Sequence, residues 1–364
     1  MDIKTAKLLT DWYRKEKRDL PWRDTGNPED VWISEIMLQQ TRIEAVKEYF
    51  TRFRKALPDI NAIASCPDDA LMKLWEGLGY YSRARNLKKC AAACVQKYGG
   101  HIPADYDALL ALPGIGAYTA GAVASIAFGI PVPAVDGNVL RVLSRLSGSE
   151  EDITLPGTKK KFTDELQSLL NDAASPRHSA SPGKFSVSDF NQALMELGEV
   201  LCIPNGEPLC NRCPVRKNCI AAKEHSTDRI PVRSPKKKRR IENRTLFVIR
   251  DGDRFLFRKR PAKGLLAGLY EFPGEEGFLT EKEALSFASR LGTEPLRIRT
   301  LPEAKHIFTH IEWHMHAWEI RVASFSGMDE ILKKEFRFVT KKELQGFAVP
   351  SAFRTYVDHY ALRD

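Results

Sequence analysis

Two carboxylates in this chain stand in settings that suit them to different duties. Glu35 lies in Val31-Trp32-Ile33-Ser34-Glu35-Ile36-Met37-Leu38-Gln39-Gln40-Thr41, a helical pattern whose neighbours are almost all apolar. Burial there raises a carboxyl pKa and lets it hold a proton near neutrality. Asp136, in Val135-Asp136-Gly137-Asn138, precedes the helical pattern Val139-Leu140-Arg141-Val142-Leu143. A helix start surrounds it with backbone donors, so it is expected to stay ionised. One protonated and one ionised carboxyl are what cleavage of a glycosidic bond requires. The first donates to the leaving group and the second stabilises the oxocarbenium-like centre. Each residue also has a plainer reading, Glu35 as an exposed helix position and Asp136 as an ordinary N-cap.

A turn and a cysteine group flank this pair. Pro113, Gly114 and Gly116 make a tight turn between the helical patterns Ala108 to Leu112 and Tyr118 to Phe128. Backbone N–H groups at such a helix start attract phosphate. Cys202, Cys210, Cys213 and Cys219 fall within eighteen residues, and only one pair has C-x2-C spacing. Structural zinc ribbons bring two such pairs, whereas four thiolates in one compact loop suit a cubane iron–sulfur cluster better. Zinc remains the alternative. Cys66, Cys90 and Cys94 read as buried, unliganded thiols. Arg212, Arg216 and Lys217 lie between the ligands and would add a basic contact for DNA phosphates.

The elements that must hold these groups are legible from periodicity. From Ile3 to about Ala222 apolar residues recur at three- and four-residue intervals, as in Leu166, Leu169 and Leu170, so this half is helical. Ala174 to Ser186, rich in Ser, Pro and Gly, reads as a surface loop. Residues 226–243 read as a linker, with Lys236-Lys237-Lys238-Arg239-Arg240 suited to a phosphate backbone. The same run has the composition of a nuclear import signal, which leaves a nuclear location open. Alternation then takes over. Thr245 to Ile249 and Phe255 to Phe257 flank Asp251-Gly252, a hairpin signal, and two capping boxes, Thr280 with Glu283 and Thr340 with Glu343, open later helices. The C-terminal third is therefore expected to be α+β.

Composition agrees with this organisation. At 364 residues, 43% hydrophobic and 28% charged, the chain suits two or three globular domains. It shows no run of eighteen apolar residues and no signal-peptide pattern, so a cytoplasmic protein without a membrane partner is expected. A net charge of +9 favours a polyanion such as nucleic acid.

Taken together, the hairpin Leu112 to Tyr118, the Val135 to Asn138 segment and the four cysteines resemble the helix–hairpin–helix DNA glycosylases of the endonuclease III superfamily. Leu20-Pro21-Trp22-Arg23, Ser34 to Thr41 and Gly77-Leu78-Gly79-Tyr80-Tyr81-Ser82-Arg83 closely match the MutY-type adenine DNA glycosylases within it. The resemblance covers nearly the whole chain and implies a multidomain architecture. Residues 1–225 would form an all-α glycosylase domain with an iron–sulfur loop at 202–219, followed by the linker and a Nudix-like α+β domain over 244–364 that recognises 8-oxoguanine.

Roles follow from the same resemblance. It implies that Glu35 protonates adenine N7 and later activates water, that Asp136 stabilises or captures the sugar cation, and that Tyr118 supports it. The extruded adenine would meet Trp22, Arg23, Leu38 and Gln192. Gln40, Thr41, Leu78 and Tyr80 would wedge into the duplex and touch the 8-oxoguanine side, while Gly114 and Gly116 grip the phosphate backbone. Cys202, Cys210, Cys213 and Cys219 would bind a [4Fe-4S] cluster, and the hairpin turn is a candidate site for a monovalent cation. Phe308-Thr309-His310 matches the family's Phe-Ser-His lesion-reading loop. The expected partner is duplex DNA with adenine opposite 8-oxoguanine or G, and the expected state a monomer.

Four departures separate the chain from neighbouring patterns. Tyr118 stands where strand-cutting relatives carry a lysine, so a Schiff base cannot form there and a monofunctional enzyme is expected. The Nudix-box entry Tyr270-Glu271-Phe272-Pro273-Gly274 is followed by Ala284-Leu285-Ser286-Phe287-Ala288, without the acidic residues that would bind Mg2+. Seven residues separate Cys202 from Cys210 where the family has six, and Pro204-Asn205-Gly206 could absorb the extra one. Thr309 replaces serine. Two other classes compete: a bifunctional pyrimidine-lesion glycosylase, against which Tyr118 counts, and a non-catalytic DNA scaffold with a redox-active cluster, against which the carboxylate pair counts.

Overall fold

The structure is a computed structural model that describes residues 1–175, 185–235, 238–261, 263–344 and 346–361. The chain divides into two units, Met1–Cys66 with Asn86–Pro235 and Pro67–Arg85 with Lys236–Asp364. Residues 67–85, which the sequence alone groups with the helical half, thus belong with the C-terminal residues.

In the first unit, helix starts are set by short polar caps. The side chains of Asp2, Asn27, Asp105, Asp136 and Ser186 accept from backbone N–H groups of the Ile3–Glu16, Pro28–Leu38, Tyr106–Leu110, Gly137–Ser147 and Val187–Val200 helices. Left-handed Gly129 and Gly148 end the Ala117–Phe128 and Gly137–Ser147 helices. Leu9, Tyr13, Val139, Leu143, Phe190, Leu194 and Leu197 are buried together, which clamps the Ile3–Glu16, Gly137–Ser147 and Val187–Val200 helices around one core. The Ala117–Phe128 helix is apolar on all sides and buries Thr119 through Ser125. Gly121 lets it approach the backbone, since a Cβ there would lie 2.3 Å from the Pro133 carbonyl oxygen.

Among the described residues the second unit carries a seven-stranded sheet: β1 (Arg240–Asp251), β2 (Arg254–Lys259), β3 (Tyr270–Glu271), β4 (Gly274–Glu276), β5 (Pro295–Ile307), β6 (Ile311–Val322) and β7 (Phe336–Thr340). The strands run in the order β3-β2-β1-β6-β5, with β4 paired to β1 and β7 to β2. β1 and β6 are parallel, while the β1/β2 hairpin pairs Asp251 with Arg254 across Gly252. Alternation sends Leu246, Val248, Trp313 and Met315 to one face and Phe247, Ile249 and Ile320 to the other, where the Glu281–Arg290 helix covers them. Both expected capping boxes form, Thr280 with Glu283 and Thr340 with Glu343.

Strand β1 starts at Arg240, so Arg240 to Asn243, expected as linker, are strand. They pair in register with Ile311 to His314, and that pairing overrides the linker-like composition. Lys236 and Lys237 of the basic run, and residues 176–184 of the expected loop, lie outside the described residues. Among the described residues no helix is long and apolar enough to cross a membrane.

Candidate active site

Glu35 projects from the Pro28–Leu38 helix, whose register is fixed by Pro28 in the first turn and by Asn27 accepting from Glu29 N–H at 2.9 Å. Its side chain is buried, and Oε2 accepts a 2.7 Å hydrogen bond from the Tyr118 hydroxyl. Tyr118 opens the Ala117–Phe128 helix, directly after the hairpin. Burial is the main influence on Glu35 and carries its pKa to about 7; Asp136 adds to the rise, and Tyr118 and Arg23 oppose it. The exposed-position reading of Glu35 is thereby excluded.

Asp136 holds its N-cap place and also faces the cleft. It caps the Gly137–Ser147 helix, accepting from Val139 N–H at 2.8 Å, and it lines the same cleft as Glu35. Its expected pKa behaviour needs correction. Burial raises it, and the backbone N–H groups of Val139 and Asn138, with Arg141, only partly offset that rise. The two carboxyls therefore shift in the same direction, Glu35 to about 7.

The cleft has a volume of about 960 Å³ and gathers Trp22, Arg23, Leu38 and Gln192 with Glu35, Tyr118 and Asp136, and Gln40 and Thr41 also line it. Trp22 meets Phe50 edge to face, with ring centroids 5.4 Å apart. Arg23 is held by Glu196 Oε2 at 2.6 Å and by the Arg18 carbonyl at 3.0 Å. Arg18 grips the other Glu196 oxygen at 2.6 Å. Burial of Glu196 works against its charge, yet hydrogen bonds from the two guanidiniums hold its carboxyl below the usual range. Gln40 is exposed, with a left-handed φ of 59°.

Sequence reasoning missed Arg18, Glu196 and Asn138 as cleft residues. A signal existed on the Val187–Val200 helix: Ser188, Gln192, Glu196 and Glu199 recur at helical spacing, so Gln192, expected in the pocket from the resemblance, pointed to that whole face.

The hairpin takes its expected form. Gly114 has φ 77°, and a Cβ there would fall 2.5 Å from the Asn86 Cβ. Gly116, in ordinary extended backbone, is the N-cap of the Ala117–Phe128 helix, with open space at its Cα. N–H groups of the helix start are thus available to an anion.

In the second unit the structure brings Tyr80 and Thr309 together, their hydroxyls 2.7 Å apart. Tyr80 is exposed, whereas Leu78 is buried. Phe308 to His310 is the turn between β5 and β6, closed by Phe308 N–H donating to the Ile311 carbonyl at 2.8 Å. The Phe308 ring rests edge-on against Trp313 at 4.8 Å.

The four cysteines fall in a loop of two short 3-10 turns, Cys210–Arg212 and Arg216–Asn218, and Gly206 takes φ 78° where the extra residue was expected to be absorbed. Arg145 donates to Cys202 Sγ at 3.4 Å, and Cys219 Sγ donates to the Arg145 carbonyl at 3.2 Å. Burial raises the Cys210, Cys213 and Cys219 thiols, Cys213 to about 12, and the four sulfurs act on one another electrostatically. Among the described residues no three His, Cys, Asp or Glu side chains adopt metal-site geometry. Four cysteines in one short loop, two of them hydrogen-bonded to Arg145, are by their chemistry a donor set of the kind that holds an iron–sulfur cluster. Cys66, Cys90 and Cys94 are buried thiols remote from it in sequence. Arg212, Arg216 and Lys217 are exposed on the loop.

Residues 33–171 match the family described as HhH-GPD superfamily base excision DNA repair protein, and residues 245–359 match the NUDIX domain. The adenine DNA glycosylase of Rattus norvegicus is 34% identical over 96% of this chain and 77% of its own length. That of Buchnera aphidicola subsp. Baizongia pistaciae is 31% identical over 89% of each. Among solved structures, a thermostable thymine-DNA glycosylase aligns with TM-score 0.51 and 30% identity, covering 61% of this chain and 96% of that one. Fold and site together define a helix–hairpin–helix glycosylase of base-excision DNA repair with a Nudix-like domain appended. The chain belongs to the adenine DNA glycosylase family, the MutY type.

Proposed function

We propose that this enzyme removes adenine mispaired with 8-oxoguanine, and also with G, by hydrolysing the N-glycosidic bond of a base turned out of the duplex. The observation that carries this reading is the buried Glu35 carboxyl, with pKa about 7, hydrogen-bonded to Tyr118 in a cleft that also holds Asp136. An acid protonated near neutrality donates to N7 of the extruded adenine, and the bond from the sugar to N9 then breaks with its electron pair leaving on the base. Asp136 offsets the positive charge on the sugar, and Glu35, now ionised, takes a proton from the attacking water. Trp22 and Leu38 supply apolar surface for the base, while Arg23 and Gln192 supply polar edges. Tyr118 has no amine for a Schiff base, so the strand stays intact.

Gln40, Thr41 and Tyr80 would act at the duplex on the 8-oxoguanine side, buried Leu78 lending them support rather than contact, with Phe308, Thr309 and His310 reading the lesion and Gly114 and Gly116 receiving a phosphate. Cys202, Cys210, Cys213 and Cys219 would hold a [4Fe-4S] cluster, which would tie the loop into one rigid piece and present Arg212, Arg216 and Lys217 to the backbone. Single-turnover cleavage of duplexes with A opposite 8-oxoguanine, G, T or C tests the reading. Fastest release opposite 8-oxoguanine is expected, and no release from that duplex would refute it. Iron and sulfide analysis tests the cluster; stoichiometric zinc without iron would replace it.

A further inference from the structure

Gln192 belongs to a relay of hydrogen bonds whose polarity is set by the Ile126 carbonyl at one end. The Ser188 hydroxyl donates its one hydrogen to the Ile126 carbonyl at 3.2 Å, an oxygen that can only accept. Toward Gln192 the serine oxygen can therefore act only as an acceptor, and Gln192 Nε2 donates to it at 3.2 Å and also reaches the Ser188 carbonyl at 3.5 Å. The amide oxygen must then face the other way, where it accepts from the Tyr13 hydroxyl at 2.8 Å. Tyr13 is 1% exposed, and burial holds its phenol well above the ordinary value, so it remains a donor. Its ring also lies under the Arg23 guanidinium, 5.4 Å from centroid to Cζ.

We infer that Tyr13 and Ser188 are positioning residues that fix which way the Gln192 amide is turned, and that this orientation makes the cleft select a 6-amino purine over a 6-oxo purine. The inference rests on the proposed adenine excision. With one lone pair of Oε1 taken by Tyr13, the other is left to accept from an exocyclic amino group. A 6-oxo purine would set its own oxygen against that lone pair, and two acceptors facing each other leave both without a donor, which is disfavoured. Free rotation of the amide would remove the distinction, because –NH2 and C=O could then exchange places. Tyr13 is the stronger lock, since it is the only group that donates to Oε1 among the described residues.

The test compares single-turnover rates for adenine and hypoxanthine, each opposite 8-oxoguanine in the same duplex, in the wild-type chain, Tyr13→Phe and Ser188→Ala. Phe at 13 keeps the ring beneath Arg23 and removes only the hydroxyl. The adenine rate is expected to fall about tenfold in Tyr13→Phe, the loss of one well-formed hydrogen bond, while the hypoxanthine rate holds or rises. The adenine-to-hypoxanthine ratio therefore drops by about tenfold or more, with a smaller drop in Ser188→Ala. Equal slowing on both bases, or an unchanged ratio in both variants, overturns the inference while leaving adenine excision standing. If Tyr13→Phe does not fold, Ser188→Ala reads the same ratio. A wild-type chain that releases neither base overturns the proposed function and this inference with it.

Discussion

At the scale of single residues, burial governs the chemistry. Glu35 binds its proton more tightly in the folded chain, with pKa about 7, than in the unfolded chain, where the ordinary value is 4.5. The native state thus holds more protons between those values, and stability falls as pH rises from 4.5, levelling off above about 7. Glu35→Gln removes that slope, so the variant is expected to be more stable than wild type at pH 8 in thermal melts, and its glycosylase rate about 10²–10⁴-fold lower. In the wild type the rate should decline as pH climbs through about 7, because the acid is then lost. Asp136→Asn separates two duties in one side chain. Asn caps helices as well as Asp does, so stability should stay within about 0.5 kcal/mol, while single-turnover cleavage drops about 10²-fold or more for want of the charge. A melt that fell as far as the rate would show Asp136 to be only a cap.

Among the elements, the hairpin offers the sharpest contrast, because its two glycines serve different ends. Gly114→Ala combines a left-handed φ of 77° with a Cβ 2.5 Å from the Asn86 Cβ, so it should destabilise the first unit by about 1–3 kcal/mol. Gly116→Ala has ordinary backbone and open space. It should fold normally yet bind duplex DNA more weakly, since the methyl group stands where a phosphate would approach the N–H groups. Melting curves beside DNA titrations distinguish the two, and a Gly116→Ala chain with unchanged affinity would remove the hairpin from the DNA contact. Turn and helix were readable here because each is a local event, set by Pro113, Gly114 and Gly116 and by the apolar pattern from Tyr118 to Phe128. The strand at Arg240 was not readable, because its partners, Ile311 to His314, lie some seventy residues away in sequence and pairing alone made it a strand.

For the whole molecule, the net charge of +9 predicts that log affinity for DNA falls linearly with log salt. Arg212→Ala, Arg216→Ala and Lys217→Ala should each lower the magnitude of that slope by about one if each meets a phosphate. Titrations at several salt concentrations measure this, and parallel slopes would take the cysteine loop out of the interface. By itself the sequence determined the helical half, the α+β half, the hairpin and the cysteine loop, since these rest on local periodicity, turn chemistry and residue spacing, whereas it took the fold to bring Glu35 and Asp136 into one cleft. Only the tertiary structure decided that Tyr118 reaches Glu35 across 83 positions, that Arg18 and Arg23 share the buried Glu196, and that Tyr13 stands behind Gln192. It also decided that Asp136 rises in pKa instead of staying low. Such outcomes depend on how much water each group loses and which distant side chain replaces it, and only packing settles those quantities.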